Sequence, residues 1–254
     1  MIDAAALAGY EEVHGMSTHA HKLHRFGRSP ATRAPGAMSV RFAALGGAVY
    51  FGLILAFTSQ FSGTPKATDS RQQVFTYLSA HQGRLQAAAV LMGFAMPAAL
   101  LFLSGLYRAL RQAEGGTARL AVAALGGGIL AAAAGATGAL ILGTTATRIT
   151  DLGPANARVW WTMYLMSIGA TLLGLLLTIA VTAIISLQRR LFARWFALAS
   201  VALALVSIAG AFTIGYATTA TFDLSGVAIV LDSIWIFLVS LFLWRKPTLA
   251  LPRT

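Results

Sequence analysis

Polar residues fall along this chain in clusters, and six long apolar runs stand between them. The runs are Phe42–Phe61, Leu85–Tyr107, Leu120–Gly143, Trp160–Leu187, Trp195–Gly215 and Gly226–Trp244. Arginine marks their ends. Arg41 opens the first, Arg84 and Arg108 bracket the second, Arg119 opens the third, Arg158 and Arg189 bracket the fourth, Arg194 opens the fifth and Arg245 closes the sixth. A helix needs about 20 apolar residues to cross the hydrocarbon core. Every run is close to that length or longer, and the length of the fourth predicts a tilt. Backbone groups in lipid must be satisfied within the segment, so the runs are read as helices. The alternation of a membrane β-barrel is not seen. The expected fold class is all-α, a polytopic membrane bundle of six transmembrane helices over residues 41–245. A basic, His-containing tail at 1–40 and a short tail at 246–254 flank it.

Charge then sets an orientation. Of 19 Lys and Arg residues, fourteen fall on one side of the predicted topology. These are Lys22, Arg25, Arg28, Arg33 and Arg41 in the N-terminal tail, Arg108, Arg111 and Arg119 between spans two and three, Arg189, Arg190 and Arg194 between spans four and five, and Arg245, Lys246 and Arg253 at the end. Lys66, Arg71, Arg84, Arg148 and Arg158 fall on the other. The positive-inside rule makes the richer side cytoplasmic, with both termini inside. Tryptophans fit this, with Trp160 and Trp161 expected at the outer interface and Trp195 and Trp244 at the inner one. Met1–Ala8 carries Asp3 and no positive n-region, so no signal peptide is read and the first span is expected to be retained. Met16 and Met38 are alternative starts.

Composition narrows the class further. The 254 residues are 57% hydrophobic and 11% charged, with no cysteine. Soluble domains carry roughly 25% charged residues, so a soluble enzyme is excluded. Without cysteine there is no disulfide, thiolate metal site or cysteine nucleophile. The net charge of +11 is mostly the orientation signal. Lys22, Arg25, Arg28, Arg33 and Arg41 are expected to contact anionic lipid, at about 1 kcal/mol each near the surface. Nucleic acid is not an expected partner, because no reading module is present. His14, His19, His21 and His24 in the tail lack the carboxylates and scaffold of a metal site, so no metal is expected.

The longest loop, Ser62–Arg84, predicts a short amphipathic surface helix over Asp69–Ala80, capped at Asp69 or Ser70, with His81 at its end. A repeat joins the outer ends of spans three and five. Gly143-Thr144-Thr145-Ala146-Thr147 with Asp151-Leu152-Gly153 matches Gly215, Thr218-Thr219-Ala220-Thr221 and Asp223-Leu224-Ser225-Gly226. It suggests related helical hairpins.

Small residues predict packing. Gly127, Ala131, Gly135, Ala139 and Gly143 recur every four residues in span three, a stripe along which another backbone can approach. Span three is therefore the expected bundle centre, with packing against another subunit as the alternative. Ala48, Gly52 and Ala56 form a shorter stripe in span one, and Ala170 and Gly174 in span four. Pro97 is expected to kink span two after Gly93.

Asp232 is the one ionisable acid or base within a span. A charge there is costly and marks function, a partner or a protonated acid. Three readings stand: a proton- or ion-coupling carboxylate; an ion pair with Arg84, Arg148 or Arg158; or a neutral acid hydrogen-bonded to Ser233, a neighbouring helix or water. No catalytic residue or cofactor is expected, since haem-ligand pairs, a zinc-protease motif, a nucleophile elbow and a phosphate loop are all missing. Ser167, Thr171, Ser207 and Thr213 are expected to bond their own helix backbones.

Some local sequence carries a resemblance. Tyr77-Leu78-Ser79-Ala80-His81-Gln82-Gly83-Arg84-Leu85 leads into span two. Gly105-Leu106-Tyr107-Arg108-Ala109-Leu110-Arg111 and Glu114-Gly115-Gly116 follow, and later Leu191-Phe192-Ala193-Arg194-Trp195. This layout resembles a group of six-span membrane proteins of actinobacteria and related bacteria that lack assigned function, over roughly residues 40–245. The resemblance implies a bacterial plasma (inner) membrane protein and supplies no activity. The leading expectation is a non-enzymatic accessory or scaffolding subunit of a larger membrane complex, partnered by lipid and other membrane subunits. The alternatives are a small transporter or proton-linked permease using Asp232, and an envelope sensor with the outer loop as receiver and the basic tail as output.

Overall fold

A computed structural model describes residues 35–65, 68–216 and 224–245. Their regular structure is seven helices and no strand: α1 (Pro35–Thr58), α2 (Arg71–Ala80), α3 (Gln82–Glu114), α4 (Arg119–Thr147), α5 (Ile149–Arg189), α6 (Arg194–Tyr216) and α7 (Leu224–Arg245). All but α2 are long and apolar enough to cross a membrane. The protein is an integral membrane helical bundle. Lys22, Arg25, Arg28, Arg33, the four tail histidines and most of the second repeat copy lie outside the described residues.

Five of the six apolar runs lie wholly within helices. The first overshoots, because α1 stops at Thr58. There side chains take over the orphan carbonyls: Thr58 Oγ1 donates to Leu55 O at 3.0 Å, Ser59 Oγ to Ala56 O at 2.7 Å and Gln60 Nε2 to Ala56 O at 3.2 Å. α1 also begins at Pro35, inside the expected tail. In α2, Ser70 accepts from the Gln73 backbone N–H while Gln73 accepts from that of Ser70, a reciprocal capping box. α3 continues through Pro97. The turn into α4 uses Gly115 and Gly116 at φ 68° and 54°, a region glycine enters without steric penalty. Glu114 then accepts from the Leu120 and Ala121 backbone N–H groups at 3.0 and 2.8 Å and caps α4. Gly153, at φ 65°, breaks α5 near its start before Pro154 opens its longer part.

The six long helices form a closed ring in which each packs on its chain neighbours and α7 returns to α1. α2 lies on α5 and α3 at one end of the ring, called here the α2 end. The bundle centre is not the expected span three; α3 and α5 share it, each touching five other helices. α5 touches α2, α3, α4, α6 and α7, whereas α4 is packed on α3 and α5. The small residues of α4 do enclose it on two sides. Four residues advance a helix by about 40° past a full turn, so the stripe crosses from one neighbour to the other. A Cβ on Gly127 would lie 2.7 Å from Gly174 O on α5, and one on Gly174 would lie 2.6 Å from the Ala131 nitrogen. Farther along, Gly135 faces Met96 and Gly143 faces Ala89, both on α3, and Ala131 and Ala139 are buried. The opposite face of α4 carries Val122, Ile129, Leu130 and Leu140, all exposed. The stripe is thus used inside the bundle.

Span one departs from expectation. Its packing glycines are Gly46, against Ala98 and Leu101 of α3, and Gly47, against Ser240 of α7. Gly52, the middle of the expected stripe, is exposed with no atom near its missing Cβ. Trp161 is also corrected. It is buried, and its Nε1 donates to Pro65 O at 3.2 Å, so it anchors a loop rather than an interface.

Candidate functional site

The site is built where α7 meets α6 and α1. Gly210 allows the first contact, because a Cβ there would lie 2.9 Å from that of Ala228. The close approach continues one turn on. Ser207 lies three residues before Gly210 and Asp232 four after Ala228, and Ser207 Oγ stands 2.9 Å from Asp232 Oδ1. A second rung follows, with Trp235 Nε1 donating to Ser200 Oγ at 2.8 Å. Two polar rungs therefore join α6 to α7 within apolar surroundings.

Asp232 is fully buried, 0% exposed. Its Oδ2 has no hydrogen-bond partner among the described residues. Ser207 carries a single hydroxyl proton but faces two acceptors, Asp232 Oδ1 and Leu203 O at 3.0 Å. As a carboxylate, Asp232 competes with Leu203 O for that proton. As a carboxylic acid, it donates to Ser207 Oγ, and Ser207 donates on to Leu203 O. The two forms differ by one proton and by the direction of one cross-helix hydrogen bond.

Ser233 is turned the other way on α7. Its hydroxyl donates to Ile229 O at 2.7 Å. Ser233 therefore meets Tyr50 of α1 as the acceptor in their side-chain hydrogen bond, with the Asp232 carboxyl close enough to act on Tyr50 electrostatically. Phe51 stacks on Phe237 beside it at 4.9 Å. Tyr50 also lines two small cavities on the ring axis. Each holds about 20 Å³, enough for about one water. Both include Met96, Thr171 and Leu175.

The arginines proposed as ion-pair partners go elsewhere. Arg84 donates to Ser62 Oγ at 3.1 Å and to Ser59 O at 3.2 Å. Arg148 pairs with Asp151 at 3.2 Å. Arg158 lines a surface pocket with Arg71 and Asn156. Among the described residues no cation pairs with Asp232, which meets the Ser207 hydroxyl on a neighbouring helix instead. Arg41 is exposed, and its guanidinium lies 5.7 Å over the Trp244 ring, a cation–π contact. Ser167, Thr171 and Thr213 bond their own helices, to Tyr164 O, Ser167 O and Gly210 O. Ser207 does this too, but also reaches Asp232.

Tyr50, Ser200 and Ser207 were not singled out by sequence as partners of α7. One signal pointed to the serines: seven residues separate them, which puts both on one helix face. Tyr50 gave none, because its role depends on how α1 is rotated against α7.

Aromatic groups close the α2 end of the axis. Phe61 stacks on Tyr164 at 6.3 Å, Trp161 lies 5.2 Å from Tyr164, and Tyr77 stacks on His81 at 4.4 Å. His81 Nδ1 is 2.9 Å from Tyr77 O. A carbonyl only accepts, so this nitrogen carries the proton. Burial raises the Tyr77 hydroxyl above its ordinary range, and the Arg84 guanidinium acts in the opposite direction.

No family model, curated protein or solved structure matches the chain.

Proposed function

We propose that this integral membrane protein is a non-enzymatic, proton-linked permease of a bacterial plasma membrane, with Asp232 as the proton-carrying group. The observation that supports this reading is the buried Asp232–Ser207 contact. A carboxyl with no cation partner is costly in a membrane span, and here it faces a hydroxyl that can either donate or accept. Gain or loss of the proton reverses that bond and changes the affinity of α7 for α6. α6 packs mainly on α5 and α7, so a change at Ser207–Asp232 acts on one of its two main interfaces. The two cavities that Tyr50 lines are water-sized, so passage of a solute through them requires rearrangement, as in alternating access.

The test is an imposed pH gradient across proteoliposomes, read with a trapped pH dye. Wild-type protein is expected to dissipate it several-fold faster than the Asp232→Asn variant, which should resemble empty vesicles. Equal rates for the two proteins would remove Asp232 from the mechanism.

A second reading, the accessory or scaffolding subunit, is favoured by the outward face of α1. Gly52 is exposed there between half-buried Ala48 and Ala56, a surface that another transmembrane helix could approach closely. Gentle solubilisation should then recover a larger complex, and a free monomer with no copurifying partner would count against it.

A further inference from the structure

A groove runs between α3 and α4 on the membrane-facing surface at the α2 end. Its volume is about 710 Å³, within the range of roughly 300–1,000 Å³ seen for small-molecule sites. Ala89, Gly93, Ala136, Ala139 and Gly143 line its depth, and Val90 and Leu140 stand exposed beside them. Toward the end of α4 the lining turns polar, with Gln86, Thr144, Thr147 and Arg148.

Gly93 is the informative residue. It sits mid-helix, where glycine costs about 1 kcal/mol relative to alanine, yet no atom lies within 4 Å of where its Cβ would be. Helix packing therefore does not require it. A side chain there would fill the groove. Arg148 supplies the complementary charge. Its contact with Asp151 joins side chains that are 69% and 64% exposed, and such a surface pair is weak. That contact uses one of five guanidinium N–H donors, and the fork geometry suits phosphate.

We propose that this groove binds one phospholipid from the leaflet at the α2 end, with an acyl chain against Gly93 and Ala136 and the phosphate on Arg148. The apolar floor and the cation at its membrane-boundary end fit the two parts of that molecule. The site is separate from Asp232 and does not depend on the permease reading.

Native mass spectrometry of the full chain in detergent tests this, with dioleoylphosphatidylglycerol and dioleoylglycerol as probes. Wild-type protein should retain one phosphatidylglycerol and bind the phosphate-free lipid about tenfold more weakly. Gly93→Phe and Arg148→Gln should each weaken retention about tenfold, while Arg189→Gln, at the opposite end, leaves it unchanged. Millimolar inorganic phosphate should not displace the lipid, since half of the site is apolar. Equal retention of the two lipids, or unchanged retention in Arg148→Gln, would overturn the proposal. Arg148 is exposed, so its replacement leaves the fold intact and decides the question even if Gly93→Phe fails to fold.

Discussion

The α4–α5 and α6–α7 interfaces are held by different means. Between α4 and α5 the contact is dry and close: Gly127, Ala131 and Gly174 bring backbone against backbone, and Thr178 Oγ1 reaches across to Ala124 O at 2.9 Å. α6 and α7 meet instead through hydrogen bonds between side chains, at Ser207–Asp232 and Trp235–Ser200. In lipid there is little hydrophobic drive between helices, so both means are available. Close packing has no alternative arrangement of similar energy, because any side chain added there clashes. A hydrogen bond between hydroxyl and carboxyl can reverse. The first interface is suited to holding the bundle and the second to changing.

That contrast predicts a graded set of outcomes. The largest effect is expected at the dry interface. Gly174→Leu puts a side chain 2.6 Å from backbone atoms of α4 and should cost about 3 kcal/mol or more, read as loss of the folded form in detergent unfolding curves. A near-neutral result would mean that α4 and α5 are not tightly packed. Asp232→Ala should be milder, on the order of 1 kcal/mol, since cross-helix hydrogen bonds in membranes average about 0.6 and reach about 1.7 kcal/mol. Asp232→Asn keeps an acceptor for Ser207 and should change unfolding less than Asp232→Ala while removing proton exchange. That split separates the switch from the scaffold. Ser200→Ala removes the acceptor of Trp235 and should cost about 0.6 kcal/mol. Gly52→Leu should have the smallest effect on stability, because nothing occupies that space. If it strongly destabilises the purified protein, the face is covered.

The span pattern was legible because it rests on one quantity, the length of uncharged helix that lipid requires. Capping was partly legible. Ser70 was one of two positions expected to start α2, whereas the early stop of α1 required seeing Thr58, Ser59 and Gln60 turned back on the helix. Small-residue stripes misled in two ways. They mark where a helix can approach another, but not which helix is surrounded, so they point to α4 where α3 and α5 have the most neighbours. They also do not say which of several glycines faces inward, so Ala48, Gly52 and Ala56 were expected where Gly46 and Gly47 pack. Asp232 stood out because carboxylates are rare in spans. Its partners did not, because the choice among Ser207, Ser233 and three arginines is set by helix rotation and depth. Ser233, adjacent in sequence, bonds its own helix and Tyr50 instead.

The central claim is that Asp232 exchanges a proton within the α6–α7 interface and that Ser207 senses it. The most direct measurement is an infrared difference spectrum of the reconstituted protein between acidic and alkaline buffer. A carboxyl band should appear in wild type, vanish in Asp232→Asn and shift in frequency in Ser207→Ala. Identical difference spectra for wild type and Asp232→Asn would contradict the account.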